Sequence, residues 1–390
     1  MSSRIVVFLP SLRGGGAERA IAGVCNGLVA GGVEVVLVLA DLGDGTYRSE
    51  IDSRVRVIAL ARGGVFDALL PLADVIRREQ PAAVLSAMRH ANVIAILAHA
   101  LASRGMSVAP RLVISERVEV AAMRALESGL RARVVHWLAR RLYRRAHSVI
   151  AVSAGVEAGL RVELGNRAPE IRVIYNPTVT PALREGARAA VPHPWLEAGE
   201  PPVILGVGRL TAQKGFDVLI DAFASVRSTR PCRLILLGEG PDRAALEKQA
   251  ERRDVRDDVL MPGFVENPYV WMAHTSAFVL SSRAEGLPNA LIQAMACGAP
   301  LVSTDCPSGP REILEYGRWG RLVQVDNTGA IAQAIAEVLD ERPLSAPDAA
   351  LRRFTPEFVI AGYADALGVP FATARSGDAE VPSREVERAA

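Results

Sequence analysis

The stretch Ser281–Glu312 reads SSRAEGLPNALIQAMACGAPLVSTDCPSGPRE, and the reading of the whole chain turns on it. It starts at the end of a short apolar strand (277–282), crosses a Gly/Pro-bearing loop and runs on into a helix. A second apolar strand follows at 301–304, and another Gly/Pro turn opens a further helix. Strand, loop, helix and strand in that order form the repeating unit of a parallel α/β sheet. Ligands of such sheets lie where strand C-termini hand over to helix N-termini. The unpaired N–H groups and the dipole of those helix starts favour anions. Glu285 stands in the first loop and can accept hydrogen bonds from hydroxyl groups, while Gln293 lies inside the following helix.

The same rhythm continues in both directions. Strand-like runs fall at 5–9, 33–40, 55–60, 83–87, 112–115, 149–152 and 171–175, and again at 203–207, 234–237, 259–261, 277–280, 301–303 and 322–325. Their nearly continuous, β-branched apolar character suits strands covered on both faces of a parallel sheet. Two such arrays predict an α/β protein of two Rossmann-like domains facing each other across a cleft. The first covers 1–178 and the second 203–354. Between them, 179–202 reads as a proline-stiffened linker, with Pro181, Pro192, Pro194, Pro201 and Pro202 and a short helix near 182–190. Thr355-Pro356-Glu357 is a helix start, with Thr as N-cap and Pro at the first helical position. That helix is expected to span 355–369, and the small, polar stretch 370–390 reads as a disordered tail.

Composition narrows the class. The chain has 390 residues, half of them apolar, and a formal net charge of +2, so it carries no field suited to nucleic acid. Nothing at the N-terminus resembles a secretory signal, and no apolar run is long enough to span a bilayer, so a cytoplasmic protein is expected. Cys25, Cys232, Cys297 and Cys306 show no metal-type spacing and read as buried thiols. Neither a histidine constellation nor a D-x-D carboxylate pair is present, so no metal and no cofactor are expected.

Several loops carry candidate chemistry. GVGRLTAQKGF (206–216) sets Arg209 and Lys214 at one strand's C-terminal end, and Lys214 is one of only two lysines in the chain. Two cations fixed beside a helix N-terminus favour an anionic group there. Gly14, Gly15 and Gly16 follow the first strand, allowing close backbone approach and offering N–H donors. Arg19 stands where a dinucleotide fingerprint needs glycine, although Asp41 at the second strand's end keeps a dehydrogenase in view. Glu18 and Arg19 could pair at the loop's edge. Gly238-Glu239-Gly240 and Pro262-Gly263-Phe264-Val265 each follow a strand of the second array. On the first domain's strand ends, His90 and Asn92 lie in MRHAN and Glu116 follows the strand at 112–115; all three are acceptor-side candidates.

Taken as a set, E-G-x-P-N-x-L-I-x-A-M-A-C-G-x-P-L-V-S-T-D-C-P-S-G-P-R-E-I (285–313), the glycines at 14–16 and the Arg209/Lys214 loop resemble glycosyltransferase family 4, retaining enzymes of the GT-B fold. The resemblance covers roughly residues 4 to 368. It implies transfer of a hexose or N-acetylhexosamine from a nucleotide-diphosphate sugar to a glycan or polyprenyl-lipid-linked acceptor in bacterial surface polysaccharide assembly. Arg209 and Lys214 would then receive the diphosphate and Glu285 the sugar hydroxyls. Gly15, Gly16, Gly286, Leu287 and Asn289 would lie near sugar and phosphate, and Gly238, Phe264 and Val265 near the base. Uracil is the first expectation for that base and guanine the second. The family usually carries a second glutamate where this chain has Gln293, which can hold the ribose diol without charge assistance. The family's terminal helix crosses back to the first domain.

The arginine-rich segment 124–147 interleaves cations with Leu130, Val134, Trp137 and Leu138, which share one helical face. That pattern fits either adsorption to an anionic membrane or an ordinary helix with its stripe in the core. Two other classes share the architecture: epimerases or phosphorylases, the latter needing a lysine-bound cofactor, and non-catalytic two-lobed binding proteins.

Overall fold

The computed structural model describes residues 3–13, 15–41, 47–60, 64–119, 129–191, 193–341 and 344–371. The predicted tail beyond 371, Gly14 of the glycine loop and residues 120–128, among them 124–128 of the arginine-rich segment, lie outside the described residues.

Seven parallel strands form the first sheet: β1 (Arg4–Leu9), β2 (Glu34–Leu39), β3 (Arg56–Ala59), β4 (Ala83–Ala87), β5 (Arg111–Glu116), β6 (Ser148–Ala151) and β7 (Glu170–Val173), in spatial order 3-2-1-4-5-6-7. Six more form the second: β8 (Val203–Val207), β9 (Arg233–Leu237), β10 (Val259–Gly263), β11 (Ala277–Leu280), β12 (Leu301–Thr304) and β13 (Arg321–Val323), in order 10-9-8-11-12-13. Strand order reverses between β1 and β4 and again between β8 and β11, and those two points are where ligands of doubly wound sheets bind. The loops after β1, β8 and β11, singled out by sequence, all open there.

Helices cover both faces of each sheet. One face of the first sheet packs with the helix Gly16–Ala30 and with the chain's last helix, Pro356–Leu367, burying Val359, Ile360, Tyr363 and Leu367 beside Ile5, Val7, Cys25 and Leu28. The last helix therefore does return to the first lobe, where Arg111 Nε donates to the Ala366 carbonyl at 2.8 Å. Its cap differs from the expectation: Thr355 Oγ1 donates to the Arg352 carbonyl at 3.0 Å and accepts no helix N–H. Phe371, in the stretch expected to be disordered, packs against this core.

The proline-rich segment is a packed strap on the second lobe, not a free spacer. Leu183 and Leu196 are buried, Asn267 Nδ2 donates to the Gly186 carbonyl at 2.9 Å, and the Arg233 guanidinium sits 4.7 Å from the Trp195 ring centroid. Its helix is Pro181–Gly186, capped by the Thr180 hydroxyl. Cys25, Cys232 and Cys306 are buried free thiols, while Cys297 is only half-buried; burial pushes the Cys25 thiol up to about 12. Among the described residues no helix is long and apolar enough to cross a membrane.

Candidate active site at the facing sheet edges

The second lobe's lip is built from two loops fastened side by side. After β8, a single 3-10 turn (Ala212–Lys214) ends at Gly215 with φ +65°, a left-handed conformation that disfavours other residues. A Cβ at Gly215 would also lie 2.2 Å from the Ser281 carbonyl oxygen, so glycine is what lets the two loops touch. Ser281 Oγ donates to the Lys214 carbonyl and Gln213 Nε2 to the Ala284 carbonyl, both at 2.8 Å. These bonds fix the backbone on either side of the lysine and present its side chain to Glu285.

Lys214 Nζ lies 2.6 Å from Glu285 Oε1, which also accepts from Ser282 Oγ at 2.7 Å. The Glu285 side chain is 8% exposed and that of Lys214 23%. Residues expected to serve opposite ends of a ligand thus form one ion pair. Arg209 is exposed, and its guanidinium has no hydrogen bond or ion pair among the described residues. Gly238, with φ +134°, packs against the loop after β8, and a Cβ there would lie 2.0 Å from the Gly208 carbonyl oxygen. Beyond it Phe264 is 65% exposed and Val265 half-buried. Gln293 is half-buried on the helix Asn289–Ala296, and its side-chain amide has no hydrogen bond among the described residues.

The first lobe closes over this lip. Asn289 Nδ2 donates to the Gly16 carbonyl at 3.3 Å, and Asn289 Oδ1 accepts from Asn176 Nδ2 at 2.6 Å. Gly286 approaches so closely that a Cβ would lie 2.1 Å from the Arg117 carbonyl oxygen. Ser308 Oγ and Ser153 Oγ are 2.7 Å apart. Glu312, on the short helix Pro310–Ile313 after β12, accepts from the Ala154 N–H at 3.0 Å and from the Tyr175 hydroxyl at 3.2 Å. Leu287 is buried within the same junction.

Two of the three acceptor-side expectations meet a different outcome. Asn92 is fully buried, donating to the Ser115 carbonyl at 2.9 Å and to Tyr143 Oη at 3.1 Å. Glu116 is fully buried too, accepting from Arg89 Nε at 3.1 Å and from the Tyr143 hydroxyl at 2.8 Å. Burial raises its carboxyl above the usual range despite the Arg89 charge beside it. Both residues belong to a polar cluster inside the first lobe, in which Arg89 also makes a bidentate pair with Glu163 at 3.0 Å. His90 is half-buried at the start of the helix Arg89–Ser103, just after the C-terminal end of β4. Arg19 pairs with Glu50 at 2.9 Å and not with Glu18. Asp41 is held by Arg13, which engages the carboxylate a dinucleotide site would need.

Ser282, Asn176, Ser153, Ser308 and Glu312 were not singled out from sequence as site residues. Ser282 and Ser308 lie in loops after strands of the second sheet, a positional signal. Their partners lie far away in the chain, and pattern alone cannot pair them.

An acid–cation pair beside a row of helix N-termini, facing a glycine-bearing turn across a crevice, can hold a molecule with hydroxyls and a diphosphate. Residues 15–177 match the glycosyl transferase 4-like domain model and residues 201–341 the model of glycosyl transferases group 1. The chain belongs to the group 1 glycosyltransferases, a family of sugar-transferring enzymes. It is 29% identical over 253 residues to the N-acetylgalactosamine-N,N'-diacetylbacillosaminyl-diphospho-undecaprenol 4-alpha-N-acetylgalactosaminyltransferase of Campylobacter jejuni, covering 65% of this chain and 66% of that one. It is 31% identical over 179 residues to the lipopolysaccharide 1,6-galactosyltransferase of Salmonella typhimurium, covering 44% and 47%. The matches thus span less than two thirds of these curated relatives. Anabaena Alr3699/HepE, solved in complex with UDP-glucose, superposes with a TM-score of 0.76 at 21% identity over 94% of this chain and 99% of that one. The fold is GT-B.

Proposed function

We propose that this chain transfers a hexose or N-acetylhexosamine, with retention, from a UDP-sugar to a hydroxyl of a glycan or polyprenyl-diphosphate-linked acceptor in bacterial surface polysaccharide assembly. The observation that carries this reading is the Lys214–Glu285 pair, set at a strand-order reversal under a lip closed by Asn289 and Gly16. The acceptor oxygen forms the new bond to the sugar's anomeric carbon as the bond to the diphosphate breaks. The acceptor proton passes to a donor phosphate oxygen. Arg209, Lys214 and the N-terminus of the helix Asn289–Ala296 meet the charge that develops on the diphosphate, so no metal is required. Glu285 holds the sugar hydroxyls, and the turns at Gly238 and Phe264–Val265 hold the base.

The named relatives support a lipid-linked or lipopolysaccharide acceptor, and the Anabaena neighbour supports uracil. The test is to incubate the protein with a panel of UDP- and GDP-sugars and follow released nucleotide, with and without EDTA. Turnover of a UDP-sugar that EDTA leaves unchanged is expected. Turnover restricted to GDP-sugars would correct the base. UDP binding in calorimetry without any turnover would favour a binding protein, a reading that the unusual Gln293 keeps in contention.

A further inference from the structure

We propose that the outward face of the helix Leu130–Leu142 docks on an anionic phospholipid bilayer. The helix is fixed by its other side, where Val135, His136, Ala139 and Leu142 are buried and the His136 ring contacts Arg89 at 3.0 Å. Its core contacts are therefore satisfied without the second apolar stripe. That stripe points away from the lobe, with Leu130 76%, Val134 46% and Trp137 57% exposed. At about 100° per residue these three lie within roughly 60° of one another and about opposite Ala139. An outward stripe of this kind gains nothing in water and marks a contact surface.

Charge identifies the partner. Residues 129–147 contain six arginines and no acidic residue, in a chain whose formal net charge is only +2. Arg133 and Arg140 flank the stripe on one side, and Arg131 on the other reaches over the Phe66 ring at 4.7 Å. The Arg141 guanidinium lies 5.4 Å from the Trp137 ring centroid, which places cation and indole at one level. A helix lying in a membrane interface needs this arrangement: apolar side chains toward the acyl boundary, tryptophan among the headgroups and arginines reaching phosphate. The helix begins on the cleft side, after β5, and runs to the opposite edge where β6 starts. A bilayer against it would hold a lipid-anchored acceptor beside the first lobe's side of the cleft. That consequence rests on the acceptor reading above, whereas the docking does not.

The experiment is co-sedimentation of the full chain with vesicles of phosphatidylcholine alone and of phosphatidylcholine mixed with phosphatidylglycerol. Partitioning onto the mixed vesicles is expected to be about tenfold stronger or more and to weaken as salt is raised. The double variant Val134→Ser/Trp137→Ser should lose about tenfold of that binding, with helix content by circular dichroism and UDP affinity by calorimetry unchanged. Equal binding to both vesicle types, or a variant that binds like the parent, would overturn the proposal. So would a dimer in light scattering that the variant dissolves, since the face would then belong to a second copy. UDP calorimetry on the same samples tests the donor site separately, so failure of either reading is visible alone.

Discussion

Lys214 and Glu285 form an ion pair that supports the local structure at the place where the chemistry is proposed. With its side chain 8% exposed, Glu285 keeps two partners, Lys214 and Ser282. Lys214→Ala removes the charged one and leaves a buried carboxylate underserved, at a cost of about 1–3 kcal/mol in urea unfolding. Arg209→Ala has no such partner to orphan and should leave stability unchanged. If both cations meet the diphosphate as proposed, each variant should lower turnover by about 10²-fold. Near-parental rates in both would remove that role from this lip. Gln293 has an uncommitted amide where a carboxylate would accept two diol hydrogen bonds. Gln293→Glu should tighten UDP binding by about 1 kcal/mol in calorimetry. A large loss of affinity would show that position 293 contacts something other than the ribose.

At the scale of elements, the last helix makes the sharpest case. Ile360 is buried in the first lobe's core although the helix follows the second lobe in sequence. Ile360→Ala should cost about 2–5 kcal/mol, read as a lower urea midpoint. If the midpoint held, the helix would not be part of that core. The helix itself was legible from Thr355-Pro356 and its apolar content, and every strand could be placed because both faces of a parallel sheet demand continuous apolar runs. Direction was harder to read. The stripe Leu130–Val134–Trp137 shows that a helix is amphipathic, yet the inward face proves to be Val135, Ala139 and Leu142. Periodicity is symmetric about the helix axis, and only tertiary contacts choose the side. Glu116 and Asn92 miss for a related reason. Lying near a strand's C-terminal end does not decide whether a side chain faces the cleft or the core, and Arg89 draws Glu116 inward.

For the molecule as a whole, what matters is how the lobes are held together. Glu312 is one tie, and burial raises its carboxyl above the ordinary 4.5, against the Ala154 N–H and Tyr175 hydroxyl that favour its ionised form. The folded protein therefore keeps this proton to higher pH than the unfolded chain does. Stability from this group is fully present below 4.5 and is lost as pH rises through the folded value. Glu312→Gln cannot titrate but still accepts from Ala154. The parent's stability relative to this variant should fall between acidic and neutral pH in urea midpoints, and a rise would contradict the assignment.

Asn289 is another tie, and it sits where the chemistry is proposed. Its amide spans from the start of the helix Asn289–Ala296 to Gly16 on one side and to Asn176 and Thr178 on the other, and so joins the two lobes. Closure serves a transferase by keeping water from a sugar whose leaving group is already stabilised. Asn289→Ala removes three interlobe hydrogen bonds, to Gly16, Asn176 and Thr178, of about 1 kcal/mol each, enough to shift an open–closed balance by roughly tenfold or more. The variant should retain nucleotide binding to the second lobe yet release more nucleotide in the absence of acceptor, relative to transfer, than the parent does. Small-angle scattering with UDP present should show a larger radius of gyration. If the ratio of hydrolysis to transfer stayed at the parental value while the radius grew, closure would be structural only, and the exclusion of water would have to come from the donor lip alone.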